Sequence, residues 1–494
     1  VTHAEPLATA IILAAFGALL AVSVAFSRAA ARLGVPLALL FLIVGVLAGS
    51  EGIGGIPFED YHATFRLGTA ALVLILFDGG LNTPSSAVRR VLAPASVLAT
   101  FGVVATAGAT AAAAHFFGLD WSSALLLGAI VSSTDAAAVF SVLSASGIRL
   151  AHKVEATLEV ESGLNDPMAI ILTTALTANA LRPGTSRAWQ IAGDVAIEMA
   201  VGAIAGWAIG RAGRWVMARM ELPAGGLYPA FTLGLACIAF GLPTLVHGSG
   251  FLSVYVAGVV LGSGTLPHRV SIRRVHDALG WLSQIAMFLL LGLLVFPSRL
   301  ANVWWTGLLL ALFLAFVARP IVVVLCLAPF RYRWRERLYI GWVGLRGAVP
   351  IVLATIPVMA GARGSRDLFD LVFFVVVVGA FIPGATVPWV SRRLGVESKE
   401  PPEPRALIEI DAPGSLGTDM RVYHIDRALA VAGARLSEIP FPPGAAVSVI
   451  ERGGQLSAPS GATVLLPGDH VYIVARSEDR PQLELLFGEP RGAD

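Results

Sequence analysis

The sequence is short of charge. Of its 494 residues only 14% are Asp, Glu, Lys or Arg, whereas 56% are hydrophobic and the mean hydropathy is +0.76. Soluble domains of ordinary composition carry roughly 25% charged residues, so this balance excludes a soluble globular protein and points to an integral membrane protein. An excess of one sign is missing too: 35 basic against 33 acidic residues leave a formal net charge of +2, which speaks against nucleic acid as a partner. Cysteine is nearly absent. Cys237 and Cys326 both fall in apolar runs, which excludes a disulfide framework or a cysteine-ligated metal centre and leaves them as packing residues. Two motifs are also lacking. No Gly-x-Gly-x-x-Gly fingerprint follows a strand, so dinucleotide binding is unsupported, and no Thr-Val-Gly-Tyr-Gly-like filter occurs, which counts against a potassium channel.

Long apolar runs are what the sequence has in abundance. A scan for stretches of about 20 apolar residues, shorter where Gly or Pro interrupts them, gives about 13 candidate spans. They lie near 6–26, 35–50, 66–82, 92–116, 121–146, 154–180, 191–213, 227–247, 249–265, 279–297, 303–328, 337–361 and 368–391. The first run is not read as a signal peptide, because Arg28 and Arg32 follow it instead of preceding it and further hydrophobic segments come after. Short loops after the odd-numbered spans hold the basic clusters, among them Arg89/Arg90, Arg149/Lys153, Arg211/Arg214/Arg219 and Arg331/Arg333/Arg335/Arg337. The positive-inside rule then predicts an outside N-terminus and a cytoplasmic C-terminus.

At residue 397 the character changes. Residues 1–396 read as the membrane domain, 397–405 as a linker containing Lys399-Glu400-Pro401-Pro402-Glu403-Pro404, and 406–490 as a small soluble domain. In the last segment Ala406–Ile410, Ala446–Ile450 and His470–Ala475 read as strands between Gly and Pro turns, and Arg427–Leu436 as a short helix. Such a small α+β domain has a modest core that dimerisation would support. The fold class is therefore an all-α polytopic membrane protein with a small cytoplasmic α+β tail.

Within the apolar runs, three polar stretches stand out. Glu159-Val160-Glu161-Ser162-Gly163-Leu164-Asn165-Asp166-Pro167 runs straight into Met168-Ala169-Ile170-Ile171-Leu172. A carboxylate near the bilayer centre costs about 2.5–3.5 kcal/mol on insertion scales, so such groups mark partners or ion paths. The fifth span contains Val131-Ser132-Ser133-Thr134-Asp135 and the twelfth Val343-Gly344-Leu345-Arg346-Gly347-Ala348-Val349-Pro350. Both read as helices broken in mid-membrane, which transporters tolerate where the unwound backbone lines a cavity. They occupy equivalent places if spans 1–6 and 8–13 are inverted repeats. On a helix Ser162 and Asp166 share one face, and Glu161 and Asn165 the next. Asp166 and Ser162 can thus meet Asp135 and Thr134 to offer hard oxygen ligands to a monovalent cation, while Glu161 can pair with Arg346. Glu155 and Glu159 read as solvated mouth residues, His247 as a loop histidine and Gln284 as a packing residue.

The combination of Ser133-Thr134-Asp135-Ala136-Ala137-Ala138-Val139, Glu161-Ser162-Gly163-Leu164-Asn165-Asp166-Pro167-Met168-Ala169 and Gly344-Leu345-Arg346-Gly347-Ala348-Val349-Pro350 resembles the monovalent cation:proton antiporter-1 family, and within it the NhaP-type potassium/proton antiporters with a cytoplasmic tail. Pro459-Ser460-Gly461-Ala462-Thr463-Val464-Leu465-Leu466-Pro467-Gly468-Asp469 looks like the C-terminal lobe of an RCK domain, the TrkA-C type. The resemblance implies a homodimer in the lipid bilayer, whose six-helix core (spans 4–6 and 11–13) moves like an elevator. Asp166 would be cation ligand and proton carrier, Asn165 its neighbour steadying the fifth span, Thr134, Asp135 and Ser162 the rest of the ion shell, and Glu161 with Arg346 a structural ion pair. It also implies that the protein is not an enzyme and needs no cofactor, its cargo being K+ or Na+ and H+. Asparagine at 165, where electrogenic relatives carry a second aspartate, implies one proton per cation. Alternatives are Na+ in place of K+, an RCK-regulated channel, and a sensor with the transporter fold. For the tail a small ligand, pH and dimer support all remain open.

Overall fold

The computed structural model describes residues 4–32, 36–182, 188–264, 266–398, 418–427 and 429–488. The first part is all helix. In chain order it contains α1 (Ala4–Arg32), α2 (Leu37–Ala48) and α3 (Tyr61–Asn82), then α4 (Ser85–Val97) and α5 (Val103–Phe116), which a π-helical turn at Leu98–Gly102 joins. After these come α6 (Trp121–Ile130), α7 (Ala136–Ala145), α8 (His152–Leu181), α9 (Ala188–Met217), α10 (Leu227–Leu245), α11 (Gly250–Gly262) and α12 (Arg269–Leu293). A second π turn, Leu314–Ala318, joins α13 (Pro297–Phe313) to α14 (Arg319–Cys326), and α15 (Trp334–Trp342), α16 (Val349–Met359) and α17 (Ser365–Leu394) complete the set. Among the described residues, eight helices of at least 18 residues are apolar enough to cross a membrane, counting each π-joined pair as one, and five shorter ones are apolar. Every expected run falls on a helix or on a pair of half-helices, although α12 starts well before the expected 279–297.

The helices pack as two groups. α1–α3 contact α9–α12, while α4–α8 contact α13–α17, and the groups meet chiefly where α3 lies on α16 and where α8 lies on α9 and α11. Water cannot drive such contacts inside a bilayer, so close approach through small residues does. A Cβ built at Gly45 would lie 2.9 Å from Gly292 Cα, where α2 crosses α12, and one at Gly80 would lie 3.1 Å from Gly258 Cα, where α3 crosses α11. Larger side chains would push these backbones apart.

The chain divides at Ser398/Lys399 into two compact units. In the second, β1 (Thr418–His424), β2 (Ala446–Arg452), β3 (Gln455–Ser457) and β4 (His470–Arg476) form an antiparallel sheet in the order β1-β4-β2-β3. Gly453 and Gly454, at φ 60° and 83°, turn β2 into β3, the left-handed pair that a tight hairpin requires. α18 (Arg480–Phe487) sends Leu483 and Phe487 into the core with Tyr423, Ile450, Val471 and Ile473. The buried Asp469 carboxylate accepts from Arg452 at 2.8 and 2.7 Å and from Leu466 N at 2.7 Å, holding the Pro459–Asp469 loop to the sheet. The expected helix at Arg427–Leu436 is not there. Its described residues form turns, with Gly433 at φ 86°, and only a single 3-10 turn follows at Leu436–Glu438. The left-handed glycine blocks helix continuation. The linker from 399 and the expected strand Ala406–Ile410 lie outside the described residues.

Candidate ion site at two crossed, interrupted helices

α6 stops at Ile130 because Ser132, Ser133 and Thr134 follow, whose hydroxyls compete with the backbone for hydrogen bonds. Ser132 Oγ donates back to Ala129 O at 2.7 Å. Asp135 then restarts the helix as the N-cap of α7, its Oδ1 accepting from Ala138 N at 3.2 Å. The second interruption runs between Trp342 and Val349 and contains Gly344 and Gly347, after which Pro350 occupies the first turn of α16, where a missing N–H costs nothing.

The two unwound segments cross and bond to each other. Asp135 N donates to Leu345 O at 2.7 Å, and Arg346 Nε donates to Val131 O at 3.1 Å while Nη1 donates to Gly344 O. Arg346 therefore sits at the C-terminal, negative ends of α6 and α15. Asp135 caps the positive end of α7 and packs against Gly347, just before α16. Opposite charges thus complement four helix ends at one crossing. Glycine at 347 gives Asp135 its room, since a Cβ there would lie 2.8 Å from Asp135 Cβ and Cγ and would press on its carboxylate oxygen.

α8 runs alongside the crossing without a break, carrying Pro167 in its interior. Ser162 Oγ accepts from Ala136 N at 3.2 Å and donates to Thr134 O at 3.1 Å, and Asn165 Nδ2 donates to Thr134 Oγ1 at 2.7 Å. These bonds fix the shape of the unwound strand. Asp166 lies beside Asp135 and Ser133. Asp166, Asn165, Thr134 and Ser133 are all buried, yet Ser133 Oγ and Asn165 Oδ1 find no hydrogen-bond partner in the protein. No ion pair joins Asp135 or Asp166 to a basic side chain among the described residues. The structure thus brings together Thr134, Asp135, Ser162, Asn165 and Asp166, and adds Ser133, which the sequence reading had not singled out.

The expected Glu161–Arg346 pair is not formed. Glu161 Oε1 instead accepts from Arg319 Nη2 at 2.5 Å, with both side chains about 1% exposed. The reason is local. Arg319 opens α14 directly after the second π turn, and its side chain lies across Gly344, whose added Cβ would meet Arg319 Nε at 2.9 Å. That fills the approach to Glu161 and leaves Arg346 turned toward the carbonyl end of α6, still within electrostatic reach of Glu161. Arg319 is thus the structural partner of Glu161 that the sequence reading does not name. Its signal was available, as a lone arginine in the middle of the apolar run 303–328.

Two carboxylates without a basic partner, Asp166 buried and Asp135 half-buried, surrounded by hydroxyl, amide and backbone oxygens, can be neutralised by a proton or by a monovalent cation. Binding and release are the whole chemistry, and no covalent bond is made or broken. The site and the apolar helical body around it define a secondary active cation/proton antiporter, a multi-pass membrane protein and not an enzyme.

Comparison with known proteins agrees with that class. The chain belongs to the sodium/hydrogen exchanger family, whose transmembrane region matches residues 17–393, and a TrkA-C domain matches residues 425–488. It is 40% identical over 481 residues to the K(+)/H(+) antiporter NhaP2 of Shewanella sp. (strain ANA-3), covering 96% of this chain and 83% of that protein. It is 42% identical over 400 residues to the K(+)/H(+) antiporter NhaP of Alkalimonas amylolytica, covering 81% of this chain and 69% of that one. Among solved structures, the sodium proton antiporter MjNhaP1 from Methanocaldococcus jannaschii at pH 8 has a TM-score of 0.69 at 23% identity, over 78% of this chain and 99% of that one. That likeness bears on the fold.

Proposed function

We propose that the protein exchanges cytoplasmic K+ for external H+, one for one, with Asp166 as the alternating ligand and Thr134, Asp135 and Ser162 completing the ion shell. One observation carries this reading: buried Asp166 lies beside half-buried Asp135, and no arginine or lysine is paired to either. The empty, charged site is costly to move through the membrane, whereas the protonated or cation-loaded site is closer to neutral, so the carrier crosses only when occupied. That coupling is exchange. Neutral Asn165, engaged with Thr134, supports an electroneutral count. The K+ assignment leans on the relatives that bear that name. Na+ is the second reading, favoured by a more distant relative, the Na(+)/H(+) antiporter NhaS2 of Synechocystis, 25% identical over 347 residues.

The remaining proposals concern architecture. Inverted repeats, giving thirteen spans, have support in the element order: the π turn, the interrupted helix and a 30-residue helix follow one another at 98–102, 131–135 and α8, and again at 314–318, 343–348 and α17. The grouping of α4–α8 with α13–α17 supports an elevator core. α9 and residues 9–27 of α1 leave most of their apolar surface uncovered, which favours a homodimer interface and lipid contact on that side. The inner membrane is the expected location, with the N-terminus outside and the TrkA-C domain in the cytoplasm as a regulatory module. The discriminating experiment is proton/cation exchange in proteoliposomes with a pH dye. Recovery on adding K+ but not Na+, needing no membrane potential, is expected; recovery with Na+ alone reassigns the cation, and a K+ signal only with a protonophore indicates a uniporting channel.

A further inference from the structure

The stripe of α8 that carries Asp166 also carries Ser162, Glu159 and Glu155, at helical spacing on one face. Glu159 lies about 10 Å from Asp166 along the axis, toward the end of α8 that bears Lys153. It is not a solvated mouth residue. It is partly buried in the seam between the two helix groups, where it meets Thr83 at the end of α3 and Tyr255 of α11.

The hydrogen bonds here do not close in the ordinary way. Thr83 Oγ1 lies 2.7 Å from Gly79 O and 2.5 Å from Glu159 Oε1. A hydroxyl has one proton, so Thr83 cannot donate to both. If its proton goes to the helix carbonyl, as the shared turn favours, the Glu159 contact is complete only when Glu159 is the donor and carries a proton. Without that proton a carboxylate oxygen faces a hydroxyl already committed elsewhere. Tyr255 supplies the second observation. It is only 4% exposed, and its hydroxyl lies beside Thr83 and Glu159 without forming a hydrogen bond of good geometry to either. Its ring lies over Gly163, where an added Cβ would be 2.6 Å from the ring carbons, so it covers the helical turn separating Glu159 from Asp166. The charged neighbour that Glu159 feels is Glu155 on its own helix. From α3 and α11 it faces neutral Thr83 and Tyr255, and no ion pair neutralises it among the described residues.

We propose that Glu159, Thr83 and Tyr255 form a second ion station, through which a monovalent cation passes on its way to Asp166. When Glu159 releases its proton to the solution on the Lys153 side, its carboxylate and the two hydroxyl oxygens take up the cation. The cation then moves past the Tyr255 ring to the deeper carboxylates, and Glu159 is reprotonated from the same side. The assignment rests on the exchange reading above, and it adds a site whose effect has a sidedness that the Asp166 site lacks.

The test is exchange by the full chain in everted and in right-side-out membrane vesicles, measured against K+ concentration and pH for wild type, Glu159→Gln, Glu159→Asp and Tyr255→Phe. Glu159→Gln is expected to raise the apparent KM for K+ about five- to tenfold from the Lys153 face, with the maximal rate within about twofold, because it removes ground-state binding and not the exchange step. The pH dependence of that KM should flatten. The opposite face should be unaffected, Glu159→Asp should restore most of the affinity, and Tyr255→Phe should have a smaller effect of the same sign. Unchanged KM and pH profile from both faces overturn the proposal, as does a loss of maximal rate in step with protein abundance in Glu159→Asp and Tyr255→Phe. A KM effect seen only at the non-cytoplasmic face leaves the station standing and overturns the membrane orientation, and exchange by Asp166→Asn overturns the parent reading alone.

Discussion

Two buried carboxylates five residues apart on α8 have opposite fates. Glu161 is locked to Arg319 by a 2.5 Å contact between fully buried groups, whereas Asp166 shares its surroundings with a second carboxylate and no base. The difference separates architecture from transport. A paired charge is satisfied in one geometry and resists change, because removing either member strands the other in a medium that cannot solvate it. An unpaired buried carboxylate is neutralised by a proton or a cation, and neither is fixed to it by the chain. α8 thus holds a fixed ion pair on one face and, in the proposed reading, the exchange site on the next.

The sharpest break in that contrast is at Asp166. Asp166→Asn should abolish exchange while the protein still inserts and keeps its thermal unfolding profile; transport by this variant at a normal rate removes the basis of the scheme. Next in size is Arg319→Ala, which should cost about 3–5 kcal/mol by leaving Glu161 uncompensated and should lower the unfolding temperature more than Arg346→Ala does. Adding Glu161→Gln to Arg319→Ala should recover part of the loss. Equal effects of the two arginine variants would mean that Glu161 is shared between them. Gly347→Ala comes third: pressed against Asp135, the methyl group should weaken apparent cation affinity several-fold with a smaller change in stability, and unaltered affinity would show that Asp135 takes no part in binding.

The smallest effect lies at the membrane edge. Asp120 caps α6 by accepting from Ser123 N at 3.0 Å, and Asp120→Ala should cost about 1 kcal/mol. Hydrogen bonds from Ser123 hold the Asp120 carboxyl below its ordinary value of 3.8. Its stabilisation is therefore present above that ordinary value and is lost as the pH falls through the lower folded-state value. The stability gap between wild type and Asp120→Ala should close only below about pH 4; a gap that persists in acid would mean the cap works without its charge.

Much of this architecture is legible in the chain because polar residues are conspicuous in oil. Asp135, the Ser-Ser-Thr run and the Gly-Leu-Arg-Gly segment declare where helices break, and the apolar runs declare where they lie. Partner choice is not legible in the same way. Whether Glu161 takes Arg319 or Arg346 depends on a π turn that advances α14 and on the space above Gly344, neither of which has a local signature in the sequence. Glu159 is misread for a related reason: its stripe is visible, but the closeness of Thr83 and Tyr255, far away in the chain, is a product of packing. In the tail, the strands at 446 and 470 follow from β-rich runs between Gly and Pro turns, whereas the helix expected at 427–436 yields to the left-handed Gly433.

The most direct test of the central claim is proton release from the purified, detergent-solubilised protein in weakly buffered solution when K+ is added. If the cation and the proton compete for Asp166, the protein should release about one proton per chain on saturation when the outer station is removed by Glu159→Gln, and adding Asp166→Asn should abolish that release. Saturable K+ binding with no proton release, or the same release once Asp166→Asn is added, would contradict the account.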